Sequence, residues 1–102
     1  MKLYLAGPMT GIKDFNFPAF NQMSARLRAV GYDVANPADN GAETGKPWGH
    51  YMRLDIAQML TCDGVAFLDG WTNSKGARLE SHIATELGMP REMAETWLRK
   101  AQ

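Results

Sequence analysis

Four consecutive apolar residues, Val65-Ala66-Phe67-Leu68, set between Gly64 and Asp69-Gly70, constrain the fold of this chain more than any other stretch. A strand covered on one face alternates apolar and polar residues, whereas an unbroken apolar run suits a strand covered on both faces, as in parallel sheets. Residues 64–68 therefore read as a central strand. Residues 2–6 alternate Leu3 and Leu5 against Tyr4 and stop at Gly7-Pro8, which predicts a first strand entering a glycine-bearing loop over residues 7–14. Asn16 as a cap, Pro18 in the first turn, and Phe17, Phe20, Met23, Leu27 and Val30 at helical spacing predict a helix that Gly31 stops. Residues 32–35 predict a second short strand. Residues 36–47, rich in Asn, Gly, Pro and Ala, predict a loop. Tyr51, Leu54, Ala57 and Leu60 predict a helix over residues 48–61, and Leu79, Ile83 and Leu87 another over residues 76–87, stopped by Gly88. Pro90 opens a last amphipathic helix carrying Met93, Ala94, Trp97, Leu98 and Ala101.

Alternating strands and helices imply an α/β fold, a small three-layer flavodoxin- or Rossmann-like domain with a short parallel sheet and a C-terminal amphipathic helix. The 102 residues suffice for one core and leave no room for a second domain, so residues 1–102 are expected to form a single unit. Met89 offers little of a further strand after Gly88, so Trp97 and Leu98 are expected to cover a sheet edge or meet another subunit. Eleven Lys and Arg balance eleven Asp and Glu, which gives no field toward a nucleic acid polymer or an anionic membrane. The longest strongly apolar run falls far short of the ~20 residues that span a bilayer. Residues 1–6 lack a signal-peptide pattern, and a lone Cys62 suits a reducing compartment and no Cys-based metal site, so the expected address is the cytoplasm.

The chemistry-bearing residues cluster in the loops that would follow the first and third strands, where ligands bind in such sheets. Asp55 has Tyr51, Met52, Gln58 and Met59 as its helical neighbours, a mostly apolar surrounding that would raise its pKa and suit a proton donor or a sugar-hydroxyl ligand. A border residue reaching water explains it as well. Glu80, among Gly76, Ala77, Ile83 and Ala84, either leaves space for a ligand or is an acid stabilised by the helix dipole. Gly7-Pro8-Met9-Thr10-Gly11 could bring backbone N–H groups to a phosphate or sugar, or form a plain turn. Ser74-Lys75-Gly76 at a helix start offers an anion site or simple capping. His50 and Trp48 could stack on a base or merely pack. His82 and Glu86 have the i, i+4 spacing of a metal pair, but no third ligand joins them, so no metal is expected.

Tyr4-Leu5-Ala6-Gly7-Pro8, the helix carrying Asp55, and Ser74-Lys75-Gly76-Ala77 with Glu80 together resemble the nucleoside 2-deoxyribosyltransferase superfamily. Gly7-Pro8-Met9-Thr10-Gly11 and Asn36-Pro37-Ala38 look like its small phage and bacterial branch. The resemblance covers about residues 2–90. It implies cleavage of an N-glycosidic bond without a cofactor, with Glu80 as nucleophile, Asp55 binding the sugar or passing a proton to the leaving base, and Tyr4 orienting Glu80. Six residues before Glu80, transferases acting on free nucleosides carry an Asp for the 5′-hydroxyl, whereas the 5′-monophosphate hydrolases carry a Ser; here it is Ser74. The resemblance thus implies a nucleoside 5′-monophosphate with water as acceptor, the phosphate held by residues 7–11 and 74–76, and a homodimer or higher homo-oligomer. Two other classes compete: a nucleotide-binding sensor without turnover, and an interaction protein using Trp71, Trp97 and Leu98.

Overall fold

The computed structural model describes residues 1–41 and 45–102. Four parallel strands, β1 (Lys2–Ala6), β2 (Asp33–Ala35), β3 (Gly64–Phe67) and β4 (Arg91–Met93), form one sheet in the order β2-β1-β3-β4. Helices α1 (Phe17–Ala29), α2 (Trp48–Met59), α3 (Lys75–Glu86) and α4 (Ala94–Lys100) connect or follow them. This is the doubly wound α/β arrangement expected, with the chain reversing direction across the sheet between β1 and β3.

Strand alternation sorts the core into two layers. Leu3 and Leu5 point to one face, with Phe20 and Leu27 of α1 and Ala94, Trp97 and Leu98 of α4. Tyr4 and Ala6 point to the other, with Met59 of α2 and Ala77 and Ala84 of α3. No helix among the described residues is long and apolar enough to cross a membrane.

Three expectations change. Residues 91–93 form β4, an edge strand, where a helix from Pro90 was expected. Arg91 and Glu92 carry no apolar pattern, because an edge strand needs only backbone pairing: the Val65 N–H donates to the Pro90 carbonyl at 2.9 Å, and the registers Val65↔Arg91 to Phe67↔Met93 follow. The expected stripe of α2 is not its buried face, although Tyr51 and Leu54 line the cavity described below. Leu54 and Leu60 are 48% and 53% exposed, whereas Met52 and Met59 are buried. Finally, Asn16 does not cap α1; it is itself left-handed, and its Nδ2 donates to the Pro8 carbonyl at 3.0 Å.

Trp97 lies within the molecule. It is 4% exposed, its indole N–H donates to the buried Val65 carbonyl at 2.8 Å, and its ring packs where a side chain on Gly64 would stand, 3.2 Å from Cζ2. Leu98 is buried beside it, and Trp71 stacks on Phe67 with ring centroids 4.3 Å apart. Trp97 and Leu98 are therefore core residues of the four-stranded sheet rather than an external contact surface.

Candidate active site

Each acid reaches the cavity because its helix presents a row of small or flexible residues to the sheet. On α3, Ala77, Glu80 and Ala84 form the buried row, which places Glu80 against β1 at 4% exposure. There the Tyr4 hydroxyl donates to Glu80 Oε2 at 2.5 Å. On α2, Met52 and Met59 are the buried residues that flank Asp55, which is half-buried. Glu80 and Asp55 line one cavity of about 440 Å³ at the carboxyl ends of β1 and β3. That volume is within the usual range for a small-molecule site.

Burial dominates the electrostatics. It pushes Glu80 up to about 8, against the hydrogen bond from Tyr4 and with a smaller contribution from the Asp55 charge. Asp55 is pushed up to about 6, again by burial, with a hydrogen bond from Asn40 pulling it back. Tyr4 is held well above its ordinary value by burial and then by the Glu80 charge, so it is a neutral donor. The two carboxyls therefore differ in protonation near neutral pH, the usual sign of separate acid and base roles.

The structure brings together most of the expected phosphate-side residues. Gly7, Met9, Thr10, Ser74 and Gly76 line the cavity with the two acids. Ser74 Oγ accepts from the Ala77 N–H at 3.2 Å and caps α3, so the start of that helix, its positive dipole end, stands at the cavity wall with Ser74 and Gly76. Pro8, Gly11 and Lys75 lie outside the lining. The Pro8 carbonyl holds Asn16, Gly11 turns the chain with φ 81°, and Lys75 Nζ sits 4.1 Å from the Trp48 ring centroid. Gly7 is required by packing: a Cβ there would stand 2.9 Å from Leu68 Cβ. Gly7→Ala should cost about 1–3 kcal/mol in urea unfolding, since the clash is with an atom fixed to the backbone. A loss below about 0.5 kcal/mol would show that the loop simply shifts.

Two further lining residues, Phe15 and Asn40, carried no signal in the sequence. Phe15 follows Asp14 in a turn where Asp14, Phe15 and Asn16 all have positive φ, a strained run of the kind that gathers at functional sites. Pro37 and Asn40 enter from a 3₁₀ turn, Pro37–Asn40, within the segment expected to be loop. Trp48, at the start of α2, lines the mouth as the sequence allowed; His50 is not among the lining residues. Residues 42–44 of that segment lie outside the described residues. No group of three metal-binding side chains occurs among the described residues, and His82 and Glu86 stand away from the cavity lining.

A family of domains of unknown function, DUF4406, matches residues 1–91. The chain belongs to this family. The DUF4406 match covers Tyr4, Asp55, Ser74 and Glu80, and ends at Arg91, the first residue of β4. No curated protein shows significant similarity to the chain.

Proposed function

We propose that the protein hydrolyses the N-glycosidic bond of a (deoxy)nucleoside 5′-monophosphate in the cytoplasm. The observation that carries the reading is the buried Tyr4–Glu80 hydrogen bond facing a second carboxyl, Asp55, across one cavity. In this mechanism the Glu80 carboxylate attacks C1′ of the sugar and the bond from C1′ to the base breaks. Its electron pair stays on the base nitrogen, which takes a proton from Asp55. Water then attacks C1′ of the glycosyl ester, Asp55 accepts the water proton, and sugar 5-phosphate leaves with Glu80 regenerated. Tyr4 holds the attacking carboxylate in place throughout.

The titrations dictate the pH dependence. Between about 6 and about 8 the pair holds one proton, which rests on Glu80, whereas reaction requires it on Asp55. The reactive form is a fixed minority of that one-proton state. Both groups are protonated below this window and both are ionised above it, so kcat/KM should be bell-shaped with limbs near 6 and 8. A profile flat from pH 5 to 9 would remove the two-carboxyl mechanism.

Ser74→Asp tests the phosphate. Asp caps a helix as well as Ser, so the fold is preserved while a negative charge enters the anion end of the cavity. Base release from 5′-monophosphates should fall tenfold or more, with release from the matching nucleosides unchanged or improved. Equal losses on both substrate types would refute a phosphate site at Ser74. A second reading, a nucleotide sensor without turnover, would use the same cavity and the α3 start at Ser74. That reading predicts a rise in melting temperature with nucleotide and no product.

A further inference from the structure

Gly76 is the second residue of α3, in ordinary helical backbone, and a glycine there costs helix stability relative to alanine. Packing asks little of it. A Cβ at this position would stand 2.9 Å from Met52 Sδ and 3.5 Å from Met52 Cε, with Ser74 Oγ at 4.0 Å, so what it would meet first is the end of one flexible side chain. Met52 belongs to α2, is 7% exposed, and lines the cavity together with Ser74 and Gly76. Its thioether therefore reaches from α2 to the start of α3 and stands beside the Ser74 hydroxyl. The rest of Met52 packs in the interior, where density leaves no room to move, so a methyl group on residue 76 would drive the thioether into the cavity.

We infer that Met52 is a specificity-determining residue of the cavity: its thioether, seated on Gly76 beside Ser74, is the wall that fits this end of the cavity to a single phosphoryl group. Gly76 is kept for that seat and not for its backbone. The pair sets the width of the site. Shortening Met52 leaves phosphate a loose fit, whereas a methyl group added at Gly76 pushes the wall inward. These defects are opposite in sign, so together they cancel, the new methyl group taking the place of the lost sulfur. The inference rests on the proposed phosphate site at Ser74, and the variants are chosen so that the pair can fail while that site stands.

The test is a double-mutant cycle on the binding of inorganic phosphate and ribose 5-phosphate, read by isothermal titration in Met52→Val, Gly76→Ala and the protein carrying both changes. Each single change should weaken binding about tenfold, the worth of one charge-assisted hydrogen bond lost to misfit, and the double change should recover most of it. Gly76→Ala should melt no lower than wild type. Losses that add in the double variant, undiminished binding in folded Gly76→Ala, or a Gly76→Ala protein that does not fold each overturn the inference. Additive losses in a protein whose wild type binds both ligands leave the phosphate site standing without Met52; a wild type that binds neither removes both. Should Met52→Val fail to fold, the Met52 ε-methyl NMR signal, assigned by Met52→Leu, decides. It should shift in Gly76→Ala and respond to phosphate in wild type, and an unmoved signal overturns the inference. Cancelling losses in a protein that releases no base leave the inference standing and remove the hydrolase reading.

Discussion

Glu80→Gln should unfold at a higher temperature than wild type at pH 8, and at nearly the same temperature at pH 4. Glu80 is held up to about 8 in the folded protein against an ordinary 4.5. The folded state therefore keeps a proton that the unfolded chain has released anywhere between those two values. Its stabilising effect is complete below 4.5 and is lost as pH rises through about 8. At about 1.4 kcal/mol per pH unit, the difference sets a ceiling of about 5 kcal/mol on what wild type loses across this window. Glutamine cannot ionise, and its amide oxygen can still accept from the Tyr4 hydroxyl, so the variant escapes that loss. The same substitution removes the nucleophile and should lower base release at least a thousandfold, as loss of a covalent catalyst does. Urea or thermal melts from pH 4 to 8.5 read the first effect; parallel wild-type and variant stability curves would contradict the burial of an ionisable Glu80. A buried acid that costs stability where it works is the pattern of a functional site.

Trp97→Ala should be the most damaging single change outside the site. Trp97 fills the space over Gly64, donates to the Val65 carbonyl at 2.8 Å, and accepts the Tyr32 hydroxyl at its own carbonyl, also at 2.8 Å. Truncation opens a cavity and removes a buried hydrogen bond, at a cost of about 3–5 kcal/mol. That is a large part of the 5–15 kcal/mol typical of a domain. Trp97→Phe should recover part of the packing but not the hydrogen bond. Because Trp97 lies on the face of the sheet opposite Tyr4, any surviving folded Trp97→Phe should keep the bell-shaped pH profile. A Trp97→Ala loss under 1 kcal/mol would mean that α4 is not part of the core.

The parts of this architecture that were legible are those where local pattern and tertiary role agree. The apolar run in β3, the alternation in β1, and the Ser74 cap of α3 each satisfy a local rule and their final position at once. Asp55 and Glu80 stood out as acids in apolar surroundings, and both line the cavity. The α2 stripe misled because Leu54 and Leu60 match a helical period as well as Met52 and Met59 do, and hydrophobicity alone does not choose between two faces. The chosen face is the one that carries the carboxylate, a burial that periodicity counts against. β4 was hidden because its charged residues pair through the backbone, and Asn40 because a 3₁₀ turn has no period to read. Legibility was thus lost where edge pairing or the cavity, rather than apolar burial, decided the outcome.

The central claim is most directly tested by incubating the purified protein with each ribo- and deoxyribonucleoside 5′-monophosphate and following free base by chromatography, with Glu80→Gln alongside. The account predicts base and sugar 5-phosphate in equal amounts from at least one nucleotide with wild type, and none with Glu80→Gln. Base release that persists in Glu80→Gln, or no release from any nucleotide by a folded wild-type protein, would contradict it.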